Sequence, residues 1–502
     1  MANNLQSICI VGGGTAGWMA ATLLSTILRG SHTKLTLIES ADIATVGVGE
    51  STVPSIMDFI QASQINLKDF IQATSATFKL GIRFDDWLKP QQSYFHPFGR
   101  IGKDINGFDF YQLWLKSLAD GQPHAWLDYS PNAVMAAQQR FMLRPQHANN
   151  WVEASYAHAL HFDATLVARY LRELCLQRGV TRIQATVEQV ELDERGFIRQ
   201  LSLDNGQIDS SDFFIDCSGF KGLLIEQALQ VGYQDWSNFL PCDRAVTLQT
   251  ATVKPPAPYT IATAGQSGWR WQIPLQQRCG NGYVYASQFC SDEQATETLV
   301  NSVSAPVLND ARVLSFVTGK RNKIWHNNCL ALGLAAGFLE PLESTAIHLV
   351  YKTLVYFIQH FPDREFEPAN QRCFNQKIDA DYVEIRDFII LHYCTSGRSD
   401  SEFWRWCQHM PVPDSLADKL ALFRQRGMLQ QGEGQFFSND SWCSILEGMH
   451  IRPHKYHPIL DGFDKHSLAK TLNDNVQSIR AAVASMPLHG EFIRAHCPAV
   501  AG

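Results

Sequence analysis

The chain has 502 residues, with 42 Lys and Arg against 49 Asp and Glu, and a formal net charge of −7 at pH 7. With 45% hydrophobic and 18% charged residues, it is expected to bury a large core, which excludes a disordered protein. The mild acidity argues against a nucleic-acid partner. The longest apolar stretch, residues 330–339, is about half the ~20 residues that span a bilayer, and the N-terminus lacks a signal-peptide pattern. We therefore expect a cytoplasmic protein with no membrane partner.

The cysteines and histidines do not predict a metal site. All twelve cysteines are scattered singly, without a C-x-x-C pair, whereas a structural zinc site needs clustered ligands. His450, His454 and His457 have helical spacing, but Pro453 and Pro458 interrupt any helix there. Scattered cysteines in a chain without an export signal are typical of small buried hydrophobic residues.

The first 39 residues have the pattern of a dinucleotide site. Residues 7–11 predict a buried strand, Gly12-Gly-Gly-Thr-Ala-Gly17 follows, a helical pattern begins near Trp18, and residues 34–38 predict a second strand closed by Glu39. In such a loop Gly12 permits the turn, Gly14 admits the pyrophosphate and Gly17 allows close packing. Glu39 would accept a ribose hydroxyl. FAD and NAD fit this unit equally.

The middle of the chain adds a second element of a nucleotide-binding fold. Residues 213–219 predict a strand ending in Asp-x-Ser-Gly, a pattern seen where flavoproteins close over the adenine half. Residues 164–177 predict a helix, and residues 187–193 and 197–203 predict a hairpin. Because no second G-x-G-x-x-G follows a strand, we expect one dinucleotide and no pyridine-nucleotide domain. A bound flavin would then receive its electrons from elsewhere.

The remaining sequence has no internal repeat. Residues 255–258 predict a loop, and residues 343–360 predict a helix entered through Pro341. The last third is mostly helical in pattern, with helices near residues 415–426 and 466–484.

Six motifs stand out along the chain: Gly12-Gly-Gly-Thr-Ala-Gly-Trp18, Gly47-Val-Gly-Glu-Ser-Thr-Val-Pro54, Phe78-Lys-Leu-Gly-Ile82, Tyr94-Phe-His-Pro-Phe-Gly99, Gly268-Trp-Arg-Trp-Gln-Ile-Pro274 and Gly333-Leu-Ala-Ala-Gly-Phe-Leu-Glu-Pro-Leu-Glu-Ser-Thr345. Together they resemble the motifs of the flavin-dependent tryptophan halogenases, and the resemblance runs in the family's order from about residue 7 to about residue 460. The resemblance implies a mixed α/β fold, in which an FAD-binding module like that of flavoprotein monooxygenases is joined to a largely α-helical substrate module. The expected FAD module comprises residues 1–90, 155–235 and 320–360, and the expected substrate module comprises residues 91–154, 236–319 and 361–502.

The resemblance also implies a chemistry. A separate NAD(P)H-dependent flavin reductase supplies FADH2, which with O2 converts a halide, chloride or bromide, to hypohalous acid. The acid passes through a tunnel to a lysine, and the halogen enters an electron-rich aromatic ring by electrophilic substitution. Separation of the flavin from the organic substrate avoids oxygen transfer to carbon. Bromide is expected to outcompete chloride because it is oxidised more easily. Whether the protein forms a homodimer is left open by the sequence.

Each role is carried over to a position of this sequence. The catalytic residues implied are Lys79, as an ammonium that hydrogen-bonds hypohalous acid or as an amine that forms a haloamine, and Glu343, which would orient the halogenating agent and take the ring proton. The other implied residues are Thr15, Ala16, Gly49, Glu50, Val187, Gly333 and Leu334 for the cofactor, Thr345 and Ala346 for halide, His96, Phe98 and Trp442 for the substrate, and Trp269 and Trp271 as a screen beside the flavin.

The match fails in one region. Relatives that take free tryptophan hold its amino and carboxylate groups with a loop that contains a Tyr-Tyr pair, and here Asn439-Asp-Ser-Trp442 stands in its place. Such residues mark the ligand, because a site built for a zwitterion leaves polar groups unpaired without one. We therefore expect indole, an indole derivative, a phenol or an aromatic group on a larger molecule. The alternatives are a flavin monooxygenase that hydroxylates an aromatic ring and a non-catalytic flavin-binding protein. Ordinary flavin hydroxylases carry Gly-Asp where this chain has Gly333-Leu334, which weakens the first.

Overall fold

A computed structural model describes residues 4–40, 49–430 and 435–500 of the chain. Its strands are mostly short. In chain order they are β1 (Ser7–Val11), β2 (Lys34–Glu39), β3 (Gly49–Ser51), β4 (Thr77–Lys79), β5 (Gly81–Asp85), β6 (Ser93–Pro97), β7 (Ala159–Asp163), β8 (Thr181–Gln184), β9 (Val187–Leu192), β10 (Ile198–Leu203), β11 (Ile208–Asp209), β12 (Phe213–Asp216), β13 (Tyr233–Asp235), β14 (Arg244–Ala251), β15 (Thr260–Ala264), β16 (Gly268–Pro274), β17 (Arg278–Tyr285), β18 (Arg312–Ser315), β19 (Gly319–Arg321), β20 (Trp325–His326), β21 (Cys329–Ala331) and β22 (Gly337–Phe338).

The helices are longer and become frequent towards the C-terminus. In chain order they are α1 (Thr15–Ile27), α2 (Ser55–Ala62), α3 (Leu67–Ala73), α4 (Phe110–Ala119), α5 (Pro131–Ala137), α6 (Trp151–Ala154), α7 (Ala164–Gln177), α8 (Asp292–Ser302), α9 (Ala346–Gln359), α10 (Pro368–Cys394), α11 (Glu402–His409), α12 (Asp414–Arg426), α13 (Asn439–Gly448), α14 (Lys465–Ala484) and α15 (His489–His496). The mixed α/β class expected from the sequence is confirmed.

A mainly parallel sheet carries the N-terminal nucleotide motif. Its order is β20–β21–β12–β1–β2–β8, and β1 pairs in parallel with both β2 and β12. Residues 8–10 of β1 are completely buried, as expected for a central strand covered on both faces. The predicted strands at 7–11, 34–38 and 213–216 are confirmed, with Glu39 inside β2 as its last residue.

Helix α1 packs on β1 and β2 of this sheet, and α7 and α9 pack on α1. The predicted helix at 164–177 is confirmed residue for residue, because the Asp163 side chain caps it by accepting from the amides of Thr165 and Leu166. The predicted hairpin is confirmed as β9 and β10, which pair antiparallel around residues 193–197.

A second, seven-stranded sheet has the order β18–β14–β17–β16–β15–β5–β6. All its pairs are antiparallel except that of β5 with β15. A small sheet, β3–β7–β4, lies beside it, and Lys79 is the last residue of its strand β4. The second sheet therefore brings residues 93–97 and 268–274 to the neighbourhood of Lys79.

The predicted helix at 343–360 is wrong at its start. Residues Pro341–Glu343 form a 3-10 turn, and Ser344 then adopts a left-handed conformation with φ of 60°. This conformation interrupts the helical path, so α9 begins only at Ala346. Glu343 therefore projects from a turn ahead of the helix, not from its first turn.

The C-terminal part is largely helical, as expected. Helix α12 begins one residue before the predicted 415–426 segment, and α14 one residue before 466–484. The 27-residue helix α10 contacts α9, α11 and α12 and connects this region to the sheets. Over residues 4–40, 49–430 and 435–500, no helix is both long and apolar enough to span a membrane.

Candidate active site

The glycine loop leaves open space at the start of α1. Gly12 has φ of +119°, and a Cβ there would lie 2.2 Å from the carbonyl oxygen of Cys217. A Cβ on Gly17 would lie 1.9 Å from the carbonyl oxygen of Gly12, so β1, α1 and the loop approach closely. A Cβ on Gly14 would meet no described atom within 4 Å, and no described side chain caps α1. A helix N-terminus facing open space is suited to a pyrophosphate.

Glu39 lies at the edge of this space. Its carboxylate accepts from Arg182 Nε at 2.6 Å and from Trp18 Nε1 at 3.3 Å. A side chain at Gly13 would collide with it, since a Cβ there would lie 1.6 Å from Oε2. Glu39 is thus oriented by two donors, and its remaining lone pairs can accept a ribose hydroxyl.

Other residues predicted for the cofactor lie in two places. Gly333, with φ of +62°, packs on Ala16. The next residue, Leu334, is 39% exposed although its side chain is large and apolar. Val187 begins β9, and two residues earlier the Ala185 amide donates to the Glu39 carbonyl. These contacts group the glycine loop, Gly333 and the start of β9, and they fit a dinucleotide such as FAD.

Gly49 and Glu50 lie in β3, beside β16 and β17. A Cβ on Gly49 would lie 3.1 Å from the Cγ2 atom of Ile273. Burial raises the pKa of Glu50 to about 7. Residues 47 and 48 of the same motif lie outside the described residues.

Lys79 is fully buried at the end of β4. Its Nζ donates to the Thr52 carbonyl oxygen at 2.9 Å and to Ser344 Oγ at 2.8 Å, and it lies 5.0 Å from the Phe98 ring centroid. Burial lowers the pKa of Lys79 to about 7, although the Glu343 carboxylate opposes this shift. Near neutral pH both the ammonium and the free amine are therefore populated.

Glu343 is held between two imidazoles. His96 Nδ1 lies 2.9 Å from its Oε2 and His392 Nε2 lies 2.9 Å from its Oε1, with all three residues buried. Burial by itself would raise the pKa of Glu343, but the two histidines outweigh it and lower the pKa to about 2. Tyr94 in turn hydrogen-bonds His392 Nδ1 at 2.8 Å. The carboxylate is thus fixed in position and ionised.

Thr345 and Ala346, the predicted halide residues, stand at the start of α9. Thr345 is buried, and no described side chain caps this helix end. Ser344, immediately before them, accepts from Lys79 and donates to Ser51 Oγ at 3.0 Å. The helix N-terminus, which favours anions, is therefore linked to Lys79 by one residue.

The predicted substrate residues belong to an aromatic cluster. His96 lies 6.4 Å from Phe98 and 5.6 Å from Phe388 between ring centroids. Phe388 stacks on Phe437 at 3.7 Å and meets Trp442 edge-on at 4.9 Å. The structure therefore joins His96, Phe98 and Trp442 through two phenylalanines that the sequence did not single out.

Trp269 and Trp271 are neighbours in β16, with ring centroids 6.0 Å apart. Trp269 Nε1 donates to Glu340 Oε2 at 3.0 Å, and Tyr393 donates to the same oxygen at 2.6 Å. Trp271 covers Gly282, where a Cβ would lie 2.0 Å from its ring. Both tryptophans are thus rigidly packed, and Glu340 positions the first of them.

Several residues of the site were not predicted. Thr52, Glu340 and Ser344 lie inside quoted motifs, and their contacts with Lys79 and Trp269 emerge only in three dimensions. His392, Phe388 and Phe437 carry little sequence signal, since isolated histidines and phenylalanines are common core residues. The adjacent His392 and Tyr393, near the C-terminal end of α10, are the sequence feature that could have indicated a polar group at this site.

This combination defines a class of site. A dinucleotide loop, together with a buried lysine, an ionised carboxylate and an aromatic cluster, is typical of a flavoenzyme that modifies an aromatic ring.

Comparison with known proteins identifies the family. The tryptophan halogenase family model matches residues 7–465. Tryptophan 6-halogenase SttH of Streptomyces toxytricini is 35% identical over 444 residues, which is 83% of each chain. Two solved flavin-dependent halogenases are 40% identical: BrvH from Brevundimonas sp. BAL3, with a TM-score of 0.94 over 98% of this chain and 99% of that one, and Xcc4156 from Xanthomonas campestris, with 0.95 over 99% and 100%. The chain belongs to the tryptophan halogenase family.

Membership settles the class of cofactor and of reaction. The matching enzymes are flavin-dependent halogenases, so the dinucleotide is a flavin one and halogenation of an aromatic substrate is the activity of the class. Hydroxylation is not favoured. Enzymes of this class generally need a separate flavin reductase.

Proposed function

We propose that the protein uses FADH2, O2 and chloride or bromide to halogenate an electron-rich, indole-type or phenolic ring. The observation that carries this proposal is the Lys79–Glu343 site. A buried amine with a pKa near 7 lies 5.0 Å from one aromatic ring centroid, and an ionised carboxylate is clamped by two imidazoles. Such a pair can hold an electrophilic halogen and accept a proton from the ring that it attacks.

Two modules would divide the work, although β5 of the first pairs with β6 and β15 of the second. Residues 1–90, 155–235 and 320–360 would form the flavin module, and residues 91–154, 236–319 and 361–502 the substrate module. FAD would lie along the glycine loop, Glu39, Val187, Gly49, Glu50, Gly333 and Leu334, with Thr15 and Ala16 at the helix start. Once reduced by a partner NAD(P)H-dependent reductase, FAD held by these residues would supply, with O2, the oxidising equivalent that turns halide into hypohalous acid.

The protein's own residues guide the halogen. The backbone N–H groups at Thr345 and Ala346 would hold halide at the α9 N-terminus, where no cationic side chain is required. Trp269 and Trp271 would keep the organic substrate from the flavin. Lys79 would hold the halogen, as an ammonium hydrogen-bonded to hypohalous acid or as a haloamine; its pKa near 7 makes both forms available.

Glu343 would complete the substitution. As the ring carbon forms its bond to halogen, the ring becomes cationic, and the ionised carboxylate stabilises that charge. The C–H bond then breaks, its electron pair returns to the ring and the proton passes to Glu343. The balance is aryl-H plus hypohalous acid to aryl halide plus water.

The substrate is proposed to be other than free tryptophan. Where a Tyr-Tyr pair is expected for that ligand, Asp440 instead accepts from the Ile101 amide at 3.0 Å, and burial raises the pKa of Asp440 to about 6. This side chain is engaged in holding the 100–109 loop.

The test is an incubation with a flavin reductase, NADH, FAD, air and bromide or chloride, with indole, a simple phenol and tryptophan in separate tubes. Mass spectrometry is expected to show haloindole or halophenol, and Lys79→Ala is expected to abolish it. Lys116→Ala is the matched control, since Lys116 is also buried but bonds to Asp120 at 2.6 Å outside this site. Halotryptophan as the main product would overturn the substrate proposal, and a hydroxylated product would overturn the halogenation proposal.

A further inference from the structure

Two acceptors hold the buried Nζ atom of Lys79. The Thr52 carbonyl oxygen lies 2.9 Å away and Ser344 Oγ lies 2.8 Å away, and the lysine donates to both. A carbonyl oxygen can only accept, whereas a serine hydroxyl can donate or accept. The behaviour of Ser344 towards the lysine therefore depends on where its own hydrogen goes. That hydrogen is donated to Ser51 Oγ at 3.0 Å.

Ser51 is the first member of a longer chain of hydrogen bonds. Its Oγ lies 2.7 Å from Thr260 Oγ1, which in turn lies 2.9 Å from His161 Nε2. On the other side of the ring, His161 Nδ1 lies 3.0 Å from Thr77 Oγ1, and Thr77 donates to the Pro274 carbonyl oxygen at 2.6 Å. Ser51 is half-buried, and the three side chains beyond it are buried. The chain thus runs from β3 through β15 and β7 to β4.

The Pro274 carbonyl fixes the direction of this chain. It takes the only hydrogen of the Thr77 hydroxyl, so Thr77 Oγ1 accepts from His161 Nδ1. The imidazole is neutral near pH 7, because burial, reinforced by the charge of Lys79, lowers the pKa of His161 well below its ordinary value of 6.5. A neutral ring with its hydrogen on Nδ1 accepts at Nε2, so Thr260 donates to it.

Each hydroxyl further along the chain has its hydrogen committed in the same direction. Thr260 accepts the hydrogen of Ser51, and Ser51 accepts the hydrogen of Ser344. Ser344 therefore offers Lys79 a lone pair and no hydrogen. Hydrogen bonds that run in one direction polarise and strengthen one another, so the whole chain supports the N–H bond that Lys79 donates.

We propose, on the basis of the function proposed above, that this chain positions Lys79 for halogen transfer. Two positions on Nζ meet groups that only accept, and the third has no partner among the described residues. In the ammonium the third position is an N–H, and in the free amine it is the lone pair, so both forms present the same side to the halogenating agent. Four positioning residues are thereby added to the site: Ser51, Thr260, His161 and Thr77.

Loss of the chain would block the free amine. If Thr260 lacks its hydroxyl, the Ser51 hydrogen loses its acceptor, and the hydroxyls of Ser51 and Ser344 can both reverse. Ser344 then donates to Nζ, which stabilises the amine and covers the lone pair that the halogen needs. The pKa of Lys79 should then fall, and halogen transfer should slow.

The experiment uses Thr260→Val, which removes the hydroxyl and keeps a residue suited to a strand. Protein carrying ¹³C at lysine Cε is titrated by NMR from pH 5 to 9, and the Lys79 signal is identified by its absence from Lys79→Met. The pKa of Lys79 is expected to be lower than in the wild type by about one pH unit. The Glu343 carboxylate, which also acts on this pKa, is the same in both proteins.

Steady-state kinetics provide a second readout of Thr260→Val. We expect kcat to fall about tenfold while KM for the arene is unchanged, because the chain contains no residue of the aromatic cluster. Thr260→Ser retains a hydroxyl and should keep the wild-type pKa and kcat. Thr318→Val is the matched control, since Thr318 is 1% exposed and its hydroxyl has no hydrogen-bond partner among the described residues.

Thr77→Val breaks the chain at its other end and should lower the pKa of Lys79 in the same way, so it replaces Thr260→Val if that variant does not fold. A wild-type pKa in both valine variants, a lowered pKa in Thr260→Ser or a lowered pKa in Thr318→Val overturns the inference. If no arene is halogenated, the proposed function fails, and the NMR titration alone decides this inference.

Discussion

Burial and neighbouring charge have opposing effects on the pKa values of both Lys79 and Glu343. Burial prevails for the lysine, and the neighbouring groups prevail for the glutamate. For Lys79, burial dominates and the ammonium loses its proton near pH 7. For Glu343, the imidazoles of His96 and His392 dominate and the carboxylate stays ionised near neutral pH. The lysine is therefore the member of this pair whose charge changes with pH.

The first prediction concerns that charge. The pH profile of kcat/KM for halogenation should inflect near pH 7, and Glu343→Gln should move the inflection to lower pH in its residual activity, because it removes the negative charge that raises the pKa of Lys79. Mass-spectrometric rates from pH 5 to 9 measure this. Glu340→Gln is the control, since Glu340 also has a pKa raised to about 7. An inflection that moves in Glu340→Gln and stays in place in Glu343→Gln would assign the titration to Glu340, and the prediction for Lys79 would be wrong.

The second prediction concerns the stability cost of Glu340. Burial raises its pKa from 4.5 to about 7, so the folded protein binds this proton more tightly than the unfolded chain does. Stability from this group is complete below pH 4.5 and is lost as pH rises through 7, by about 3 kcal/mol. Glu340→Gln keeps an oxygen for Trp269 and Tyr393 and should lose less stability than the wild type between pH 5 and 9. Thermal unfolding at both pH values, with exposed Glu173→Gln as control, checks this; parallel curves would contradict it.

At the scale of elements, α10 anchors residues 436–437, the segment that closes the aromatic cluster. The Glu384 carboxylate accepts from the amides of Phe436 and Phe437 at 2.9 and 3.0 Å, and Phe437 stacks on Phe388 of the same helix. One helix thus provides His392 for the carboxylate, Phe388 for the cluster and Glu384 for the segment. The proposed substrate residues His96, Phe98 and Trp442 come from other elements but pack on this helix through Phe388 and Phe437.

The third prediction follows from that anchor. Glu384→Ala removes both hydrogen bonds to the segment and should raise KM for the aromatic substrate about tenfold, with a smaller change in kcat, because Lys79 and Glu343 are untouched. Steady-state kinetics measure the two constants. Gln376→Ala, at an exposed position of the same helix, should change neither. A fall in kcat at unchanged KM would show that Glu384 acts on the Lys79–Glu343 pair and not on substrate binding.

At the scale of the whole molecule, two positions in the glycine loop have different roles. One is open to the expected cofactor, and the other is needed for the packing of the fold. Gly14 faces open space and has an ordinary φ of −74°, whereas a Cβ on Gly17 would collide with the Gly12 carbonyl at 1.9 Å. A side chain at position 14 is therefore compatible with the fold and occupies the expected pyrophosphate space. A side chain at position 17 is incompatible with the packing of α1 on the loop.

The fourth prediction uses this contrast. FAD at 100 times its Kd should stabilise the wild type by about 2.7 kcal/mol. Gly14→Val should have a nearly wild-type Tm without FAD and lose the FAD-induced increase, whereas Gly17→Val should lower the Tm before FAD is added. Thermal scans with and without FAD measure both effects. If Gly14→Val retains the full increase, the pyrophosphate does not lie beside this loop.

Short-range patterns of glycine spacing, apolar runs and helix caps were enough to predict the family, the mixed α/β class, the dinucleotide loop and most local elements. Helix 164–177 was predicted to the residue for this reason. The start of α9 was not, because Ser344 adopts its left-handed conformation in the place where its hydroxyl meets Lys79 and Ser51. Tertiary structure alone decided which groups surround Glu343, since His96 and His392 lie 296 residues apart in the printed numbering and meet only across two packed elements. It also decided which pKa values shift, because desolvation and charge pairing are properties of the packed core and not of neighbouring residues in the chain.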